Sequence, residues 1–360
     1  MVKRRKRRFL PWVLPVVACL LAGCGGRETA AVRVGSLKGP TSMGILFMME
    51  RAEAGETRDS YTFRMAVGAD ELLPLVVKGE LDVVLVPANV AAVLYQRTKG
   101  GVAVIDVNTL GVLYVVTGTA DVDSVADLKG RTIYLTGRGT TPEASLRYLL
   151  AANGLKEGDY TLEFKAEAAE VAVVLAEDPA AVGLLPQPFA TAALVQNTEL
   201  RIALDVNREW VRAEEAAGRA GNGMVTGVTL ARRDFLEQHP EAVEAFLEEH
   251  EKSAAAINED PEQGAALAVE AGIVAAEAIA RKAIPACGIT CIRGQEMKDS
   301  LAAYLAVLAA FDENLTGGSL PGEDFYYLGN GKPEPEDGEP KNEEAAGEES
   351  GNGKPGSEEP

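Results

Sequence analysis

The chain has 360 residues, of which 25% are charged and 47% are hydrophobic, and its formal net charge is −19. This acidity excludes a role in binding nucleic acid, because the protein would repel a polyanion. The part of the sequence with folded character is about 300 residues long, which is more than one hydrophobic core usually supports, so two lobes are expected.

The first 23 residues have the pattern of a secretory signal peptide. Six cations precede an apolar run from Phe9 to Ala22, which contains two prolines and is too short to span a bilayer. The arginine pair before Phe9 lacks the spacing of a twin-arginine signal, which favours export through Sec. Removal of residues 1–23 removes the six cations and takes the formal net charge to −25.

The end of this segment, Leu21-Ala22-Gly23-Cys24, resembles the bacterial lipobox. Cys24 is therefore predicted to become the acylated first residue of the mature protein, with residues 24–30 as a tether. Cys19 follows a similar sequence, but cleavage there leaves a shorter apolar segment. Since two or more acyl chains hold a protein stably at a membrane, we expect an extracytoplasmic protein that is anchored to the membrane by lipid.

From Val32 onward, short apolar runs alternate with helical patterns, which predicts an α/β fold with mainly parallel sheets. In the first set, strands are predicted at 32–37, 61–66, 81–86, 102–107 and 111–117, with helices that end at 49 and cover 70–77 and 89–96. In the second set, strands are predicted at 131–135, 160–164 and 181–185, with helices at 142–153, 168–177 and 188–195. A strand at 224–231 precedes a helix-rich part at 234–311.

The helix at 142–153 has two possible N-caps. Thr140 has capping-box spacing to Glu143, whereas Pro142 in the first helical turn favours Thr141. Both alternatives place a threonine hydroxyl beside the free backbone N–H groups of this helix.

Residues 329–360 are predicted to be a disordered acidic tail, because they contain too little apolar sequence to offset the entropy of ordering. Two cysteines remain in the folded part, Cys287 and Cys291. Outside the cytoplasm they can form a disulfide, and the alternative is a pair of free buried thiols.

Four stretches resemble the type II periplasmic binding proteins, in particular the ABC-transporter branch for nitrate, sulfonates and thiamine precursors. They are 78–84 (KGELDVV), 127–133 (DLKGRTI), 139–155 (GTTPE and LRYLLAANGL) and 185–194 (LPQPFATAAL). The resemblance implies two α/β lobes with the ligand held between them. It places lobe 1 at 31–116 and 225–328, lobe 2 at 117–224, and the crossovers near 113–118 and 221–228.

In open α/β sheets, ligands bind beyond the carboxyl ends of strands, where helix N-termini present free N–H groups. The predicted ligand-binding residues lie in such loops or at the return crossover: Thr41, Ser42, Asn89, Thr140, Thr141, Gln187 and Thr226. The alternative for each is a purely structural helix cap. Nearby are two cations that either neutralise an anionic ligand or face solvent, Lys38 and Arg138, and two aromatic residues that either stack on a flat ligand or belong to the core, Phe189 and Tyr95.

The sequence contains no recognisable catalytic motif. Its two histidines, His239 and His250, lie in an acidic helical stretch and are predicted to be neither bases nor metal ligands. There is no Gly-x-Ser-x-Gly elbow, no phosphate loop and no histidine or cysteine group with metal-binding spacing. The cysteine-rich stretch of the pyrimidine synthases that share the resembled fold is also absent. No catalytic residue, metal or cofactor is expected.

The resemblance implies that a monomer captures a small molecule and delivers it to an ABC permease and its ATPase. One alternative is an enzyme of the same fold, like those of the futalosine route to menaquinone, although these work in the cytoplasm and the lipobox disfavours them. The other is a surface lipoprotein that senses a ligand. Neighbouring permease and ATPase genes favour transport, whereas an adjacent receptor kinase favours sensing.

Overall fold

The computed structural model describes residues 29–219 and 223–329. The signal peptide, Cys24, most of the tether and nearly all of the predicted tail lie outside these ranges. Within them, one sheet of six strands and one of five form the centres of two lobes, which confirms the predicted two-lobed α/β class. None of the helices in this part of the chain has the length and apolar character needed to cross a bilayer.

The first part of the chain builds most of the first sheet. Its elements are β1 (Ala31–Leu37), α1 (Pro40–Met43), α2 (Leu46–Glu53), β2 (Ser60–Ala66), α3 (Ala69–Val77), β3 (Val83–Pro87), α4 (Ala88–Thr98) and β4 (Val102–Thr109). β1 pairs in parallel with β2 and with β3. All eight residues of β4 are buried, because helices cover both faces of the sheet.

The middle of the chain builds the second sheet, in the strand order β7-β6-β8-β5-β9. Its elements are β5 (Leu113–Thr117), β6 (Thr132–Leu135), α5 (Thr141–Ala152), β7 (Thr161–Phe164), α6 (Ala168–Glu177), β8 (Val182–Pro186), α7 (Phe189–Gln196), β9 (Arg201–Asp205) and α8 (Val206–Ala216). β6 pairs in parallel with β7 and β8, whereas β5 is antiparallel to β8 and β9.

The last part returns to the first sheet, whose order becomes β11-β4-β10-β3-β1-β2. Its elements are β10 (Gly227–Arg232), α9 (Arg233–Gln238), α10 (Pro240–Glu259), α11 (Pro261–Glu270), α12 (Glu277–Ala283), β11 (Ile289–Ile292) and α13 (Gly294–Phe311). β10 is antiparallel to both β3 and β4. The return strand and the helix-rich C-terminal part are therefore confirmed.

The predicted position of the first crossover is wrong. β5 belongs to the second sheet, where Leu113 pairs with Pro186 and Thr117 pairs with Val182. Every residue of β5 is buried because the strand lies between β8 and β9. The crossover therefore consists of residues 110–112, and the first lobe ends with β4 and not at residue 116.

The assignment of all residues 225–328 to the first lobe also needs correction, because α13 packs on both lobes. Its Tyr304 hydroxyl lies 3.2 Å from the Ser145 hydroxyl of α5, and its ring lies 5.5 Å from that of Trp210 in α8. The same helix also packs against α4 and β4 of the first lobe. Its buried residues extend along most of its length, so α13 connects the two lobes.

Two of the stretches that resemble periplasmic binding proteins, 78–84 and 127–133, each place an aspartate shortly before a strand, at the end of the sheet remote from the crossovers. The Asp82 carboxylate is 2% exposed and accepts hydrogen bonds from the Arg33 backbone N–H at 2.9 Å and from its Nε at 2.8 Å. Arg232 of β10 donates to the same carboxylate at 3.3 Å. The Asp127 carboxylate is exposed and accepts from the N–H and the hydroxyl of Ser124, which lowers the pKa of Asp127.

Candidate ligand-binding cleft

The topology brings the carboxyl edges of the two sheets together. β4 runs in the same direction as β1, β2 and β3, and it ends at Thr109. β5 begins at Leu113, beside the carboxyl end of β8 at Pro186. Since only residues 110–112 separate β4 from β5, the loops that follow the parallel strands of both sheets face a common cleft.

Backbone hydrogen bonds join the crossovers into the floor of this cleft. The Thr226 N–H donates to the Thr109 carbonyl at 3.0 Å, and the Thr226 carbonyl accepts from the Ala88 N–H at 3.0 Å. The Gln187 N–H donates to the Val112 carbonyl at 2.9 Å. Two predicted site residues, Thr226 and Gln187, therefore lie at the floor, and Asn89 follows directly on the Ala88 contact.

The first lobe contributes Thr41 and Ser42, which are 8% and 0% exposed. Both hydroxyls donate to the Leu37 carbonyl, that of Thr41 at 3.2 Å. A Cβ atom at Gly227 would lie 2.5 Å from both the Thr41 methyl group and the Asn108 Oδ1 atom. Because Gly227 has no side chain, Thr41 packs closely against the floor. The hydroxyl proton of Thr41 is donated to the Leu37 carbonyl at the end of β1.

The second lobe contributes Thr140 and Thr141 at the start of α5. Thr140 is the N-cap, and its hydroxyl donates to the Gly137 carbonyl at 2.6 Å instead of capping the helix. The Glu143 carboxylate accepts from the Gly139 N–H at 2.8 Å. Thr140 is exposed and Thr141 is partly exposed, so both remain accessible from the cleft side of the loop.

Gln187 has the most informative geometry of the predicted residues. Its Oε1 atom accepts from the Thr191 hydroxyl at 2.8 Å and from the Thr191 N–H at 3.3 Å, which fixes the orientation of the amide. The Nε2 atom is buried and has no hydrogen-bond partner among the described residues. An unpaired buried donor costs about 1–3 kcal/mol, so this position favours a ligand that brings an acceptor.

The remaining candidates divide between the cleft and the core. Lys38 is exposed at the end of β1, and the guanidinium of Arg138 lies 4.0 Å from the centre of the Phe164 ring. Phe189 is 46% exposed and lines an apolar depression of about 530 Å³ between α7 and the segment before α12. Tyr95 packs its ring against Phe325 at 5.0 Å, so it belongs to the packing of the first lobe.

The predicted disulfide is absent, since both cysteines are free thiols. Gly288, with a left-handed φ of 59°, follows Cys287 directly, and both cysteines contact the same hydrophobic cluster. Cys287 is buried in the cluster of α11 and α12, whereas the Cys291 sulfur lies within 4.8 Å of donor atoms of Asp106 and His250. Sequence reasoning missed this group because its members lie far apart in the chain.

The comparisons with known proteins agree with this geometry. Residues 100–264 match the family model described as NMT1/THI5 like. The structure resembles an ABC transporter protein from Parabacteroides distasonis with a TM-score of 0.69 and 23% identity, over 82% of this chain and 98% of that one. No curated protein matches this chain significantly.

Two further similar structures carry names that state a ligand. The periplasmic aliphatic sulphonate binding protein SsuA from Escherichia coli has a TM-score of 0.62 and 17% identity, over 80% of this chain and 88% of that one. The periplasmic nitrate-binding protein NrtA from Synechocystis PCC 6803 has a TM-score of 0.52 and 14% identity, over 79% of this chain and 86% of that one. The chain therefore has the two-lobed fold of periplasmic binding proteins. The resemblance carried by its sequence motifs, to the nitrate, sulfonate and thiamine-precursor branch, is confirmed.

Proposed function

We propose that the protein is an extracytoplasmic solute-binding lipoprotein, which captures a small molecule in the cleft and delivers it to an ABC permease and its ATPase. The observation that carries this proposal is the buried Nε2 atom of Gln187, an unpaired donor at the floor between two lobes. The names of the similar sulphonate- and nitrate-binding proteins support the same class. In this proposal Cys24 carries the lipid anchor, the protein acts as a monomer, and the cleft catalyses no reaction.

The proposed ligand carries an anionic or strongly accepting group, such as nitrate, a taurine-like sulfonate or a thiamine-pyrimidine precursor. The Gln187 Nε2 atom offers one donor, and the N-termini of α4 and α5 direct partial positive charge towards the loops of the cleft. Lys38 is an exposed cation with no ion pair within the described part of the chain. Its proposed role is to attract the anion to the cleft mouth.

Residues of both lobes bind this ligand in the proposal. Thr41, Ser42, Asn89 and Thr226 belong to the first-lobe side, and Thr140, Thr141 and Gln187 belong to the second-lobe side. Contacts that form only when both lobes touch one molecule would favour the closed arrangement.

The test is a thermal-shift screen of the purified protein against nitrate, alkanesulfonates, bicarbonate and pyrimidines. A ligand at a hundred times its dissociation constant stabilises a one-site receptor by about 2.7 kcal/mol, which a melting curve resolves. A shift with one of these classes supports the proposal, whereas turnover of the compound would favour an enzyme instead.

Gln187→Glu sharpens the screen, because the variant keeps an oxygen for Thr191 and replaces the unpaired donor by a carboxylate oxygen. At pH 8, affinity for an anion should fall about ten- to a hundredfold, since a hydrogen bond to a charged group contributes about 1.5–3 kcal/mol. Gln238→Glu adds the same charge at an exposed position of α9 and should bind normally. Equal affinity in both variants and the parent protein would remove Gln187 from the site.

A further inference from the structure

The first lobe contains a buried polar group that the cleft does not use. His250 of α10 is 0% exposed, and its Nδ1 atom lies 2.9 Å from the Asp106 Oδ2 atom of β4. The Cys291 sulfur of β11 completes the group, because one donor atom from each residue lies within 4.8 Å of the other two. Three separate elements thus bring together one oxygen, one nitrogen and one sulfur donor.

Further hydrogen bonds fix the orientation of the Asp106 carboxylate. Its Oδ1 atom accepts from the Thr229 hydroxyl at 2.7 Å, and that hydroxyl accepts from the Asn108 amide at 3.2 Å. The Asn108 Oδ1 atom in turn accepts from the Thr109 hydroxyl at 2.8 Å. Protein metal sites hold their carboxylate ligands through such outer hydrogen bonds, which here leave the second oxygen, Oδ2, facing only the His250 Nδ1 atom among the described residues.

The other two side chains have unused bonding capacity. The His250 Nε2 atom is buried and has no hydrogen-bond partner in the described part of the chain, so the neutral imidazole can carry its proton on Nε2 and leave the Nδ1 lone pair, which faces Asp106, for an ion. The Cys291 sulfur makes one weak contact, 4.0 Å from the Leu247 carbonyl oxygen. A structural hydrogen bond between Asp106 and His250 would explain why these two residues lie together. It does not explain why the Cys291 thiol lies beside them.

We propose that Asp106, His250 and Cys291 bind one divalent cation of the zinc type. Mixed carboxylate, imidazole and thiolate donors suit zinc and cobalt, whereas magnesium and calcium prefer oxygen alone. Bond lengths of about 2.0–2.3 Å in a tetrahedral site place the donor atoms about 3.3–3.6 Å apart. The Cys291 sulfur therefore needs to approach the other two donor atoms by at most about 1.5 Å, while His250 Nδ1 and Asp106 Oδ2 move slightly apart from 2.9 Å, and water supplies the fourth ligand.

The position of Cys291 allows this movement. The pairing of β11 with β4 is irregular between Ile289 and Ile292, so a shift of Cys291 does not break a regular ladder. A cavity of about 410 Å³ is lined by Ile105, which precedes Asp106 in β4, and by Leu247, whose carbonyl oxygen the Cys291 sulfur contacts. Bound metal would tie α10 and β11 to β4, the strand that leads into the first crossover.

The test is a titration of the full-length protein with cobalt(II) alone after treatment with a chelator. The expected result is one cobalt ion per chain with a thiolate-to-cobalt charge-transfer absorption. Cys291→Ser should abolish this absorption, whereas Cys287→Ser, at the neighbouring free thiol, should retain it. His250→Gln should weaken cobalt binding by at least about tenfold, and His239→Gln should leave it unchanged. Absence of binding, or an absorption that depends on Cys287, would overturn the site.

A second measurement needs no substitution and covers the case of a variant that fails to fold. Zinc should slow the alkylation of Cys291 by iodoacetamide in the native protein, as read by mass spectrometry of the two cysteine peptides. The buried Cys287 serves as the internal reference. An unchanged alkylation rate of Cys291 at saturating zinc would contradict the proposal, whatever the response of the cleft to its ligand.

Discussion

The aspartates of the stretches 78–84 in the first lobe and 127–133 in the second lobe have different structural roles. In the first lobe, Asp82 is almost fully buried and joins β1, β3 and β10 through the two guanidinium groups of Arg33 and Arg232. In the second lobe, Asp127 lies in solvent and caps a single helical turn at Ser124. Similar motifs thus hold a sheet together in one lobe and end a loop in the other.

The strands of the two sheets do not share this difference. The central strands β4 and β5 are both buried throughout, whereas the edge strands β2, β7 and β9 each include exposed residues, so burial along the strands is alike in the two sheets. The contrast between the lobes therefore lies at the two aspartates, and a single substitution should cost more at Asp82 than at Asp127.

The largest expected effect is on the free energy of unfolding of Asp82→Ala. Loss of this carboxylate leaves two arginines without their shared partner, and breaking such a buried interaction costs about 3–5 kcal/mol. Because Arg33 is partly exposed, we expect the lower end of that range, about 3 kcal/mol, in urea denaturation followed by circular dichroism. Asp127→Ala is the matched variant of the second lobe and should lose clearly less. Equal losses would refute the difference between the lobes.

A smaller effect is expected on ligand affinity from one hydroxyl of each lobe. Ser42→Ala and Thr140→Ala should each lower affinity by up to about tenfold in calorimetry, for the ligand that the thermal-shift screen identifies, because each hydroxyl proton must leave the Leu37 or Gly137 carbonyl to reach the ligand. Ser42→Ala should also lower the stability of the ligand-free protein by about 1 kcal/mol, because the Leu37 carbonyl loses one of its two hydroxyl donors. If neither variant changes affinity, the ligand does not bridge the two lobes at these residues.

The smallest expected effect is on the pH dependence of the second lobe. Hydrogen bonds from Arg219 and Tyr148 lower the pKa of Glu214, so its stabilising contribution is present above the ordinary carboxyl pKa and is lost as the pH falls through the lowered value. Glu214→Gln should therefore make melting temperature less dependent on pH in the acid range. Arg219 is 51% exposed, so water limits the effect to below about 1 kcal/mol. Glu209→Gln on the same helix controls for the lost charge.

Much of the fold follows from local sequence. The runs at 32–37 and 61–66 correspond to β1 and β2, and the helix at 168–177 matches α6, because hydrophobic period and turn residues act over a few positions. β9 and α8 were not predicted, since Arg201–Asp205 is a short edge strand with little burial. The lobe of β5 was misjudged because a buried apolar strand does not encode its partners, which lie at β8 and β9.

The site was predictable only in outline. Sequence position placed Gln187 after a strand and before a helix, but its unpaired Nε2 atom depends on the bond from Thr191 to the other end of the amide. The local sequence also led to the prediction that His250 is not a metal ligand, because its neighbours Asp106 and Cys291 lie on strands that are distant in the sequence. Helix periodicity describes which face of α10 is buried, and it carries no information about what that face meets.

The order of the strands also determines how far each loop of the proposed cleft lies from the crossovers about which the lobes would rotate. β1 lies three strands from β4, about 14 Å from the crossover, whereas β6 lies two strands from β5, about 10 Å away. A rotation of about 10° about the crossovers displaces the end of β1 by about 2.5 Å and leaves Thr226 nearly stationary. Among the candidate residues, Lys38 and Arg138 would then move further on closure than Gln187 and Thr226, which lie close to the axis.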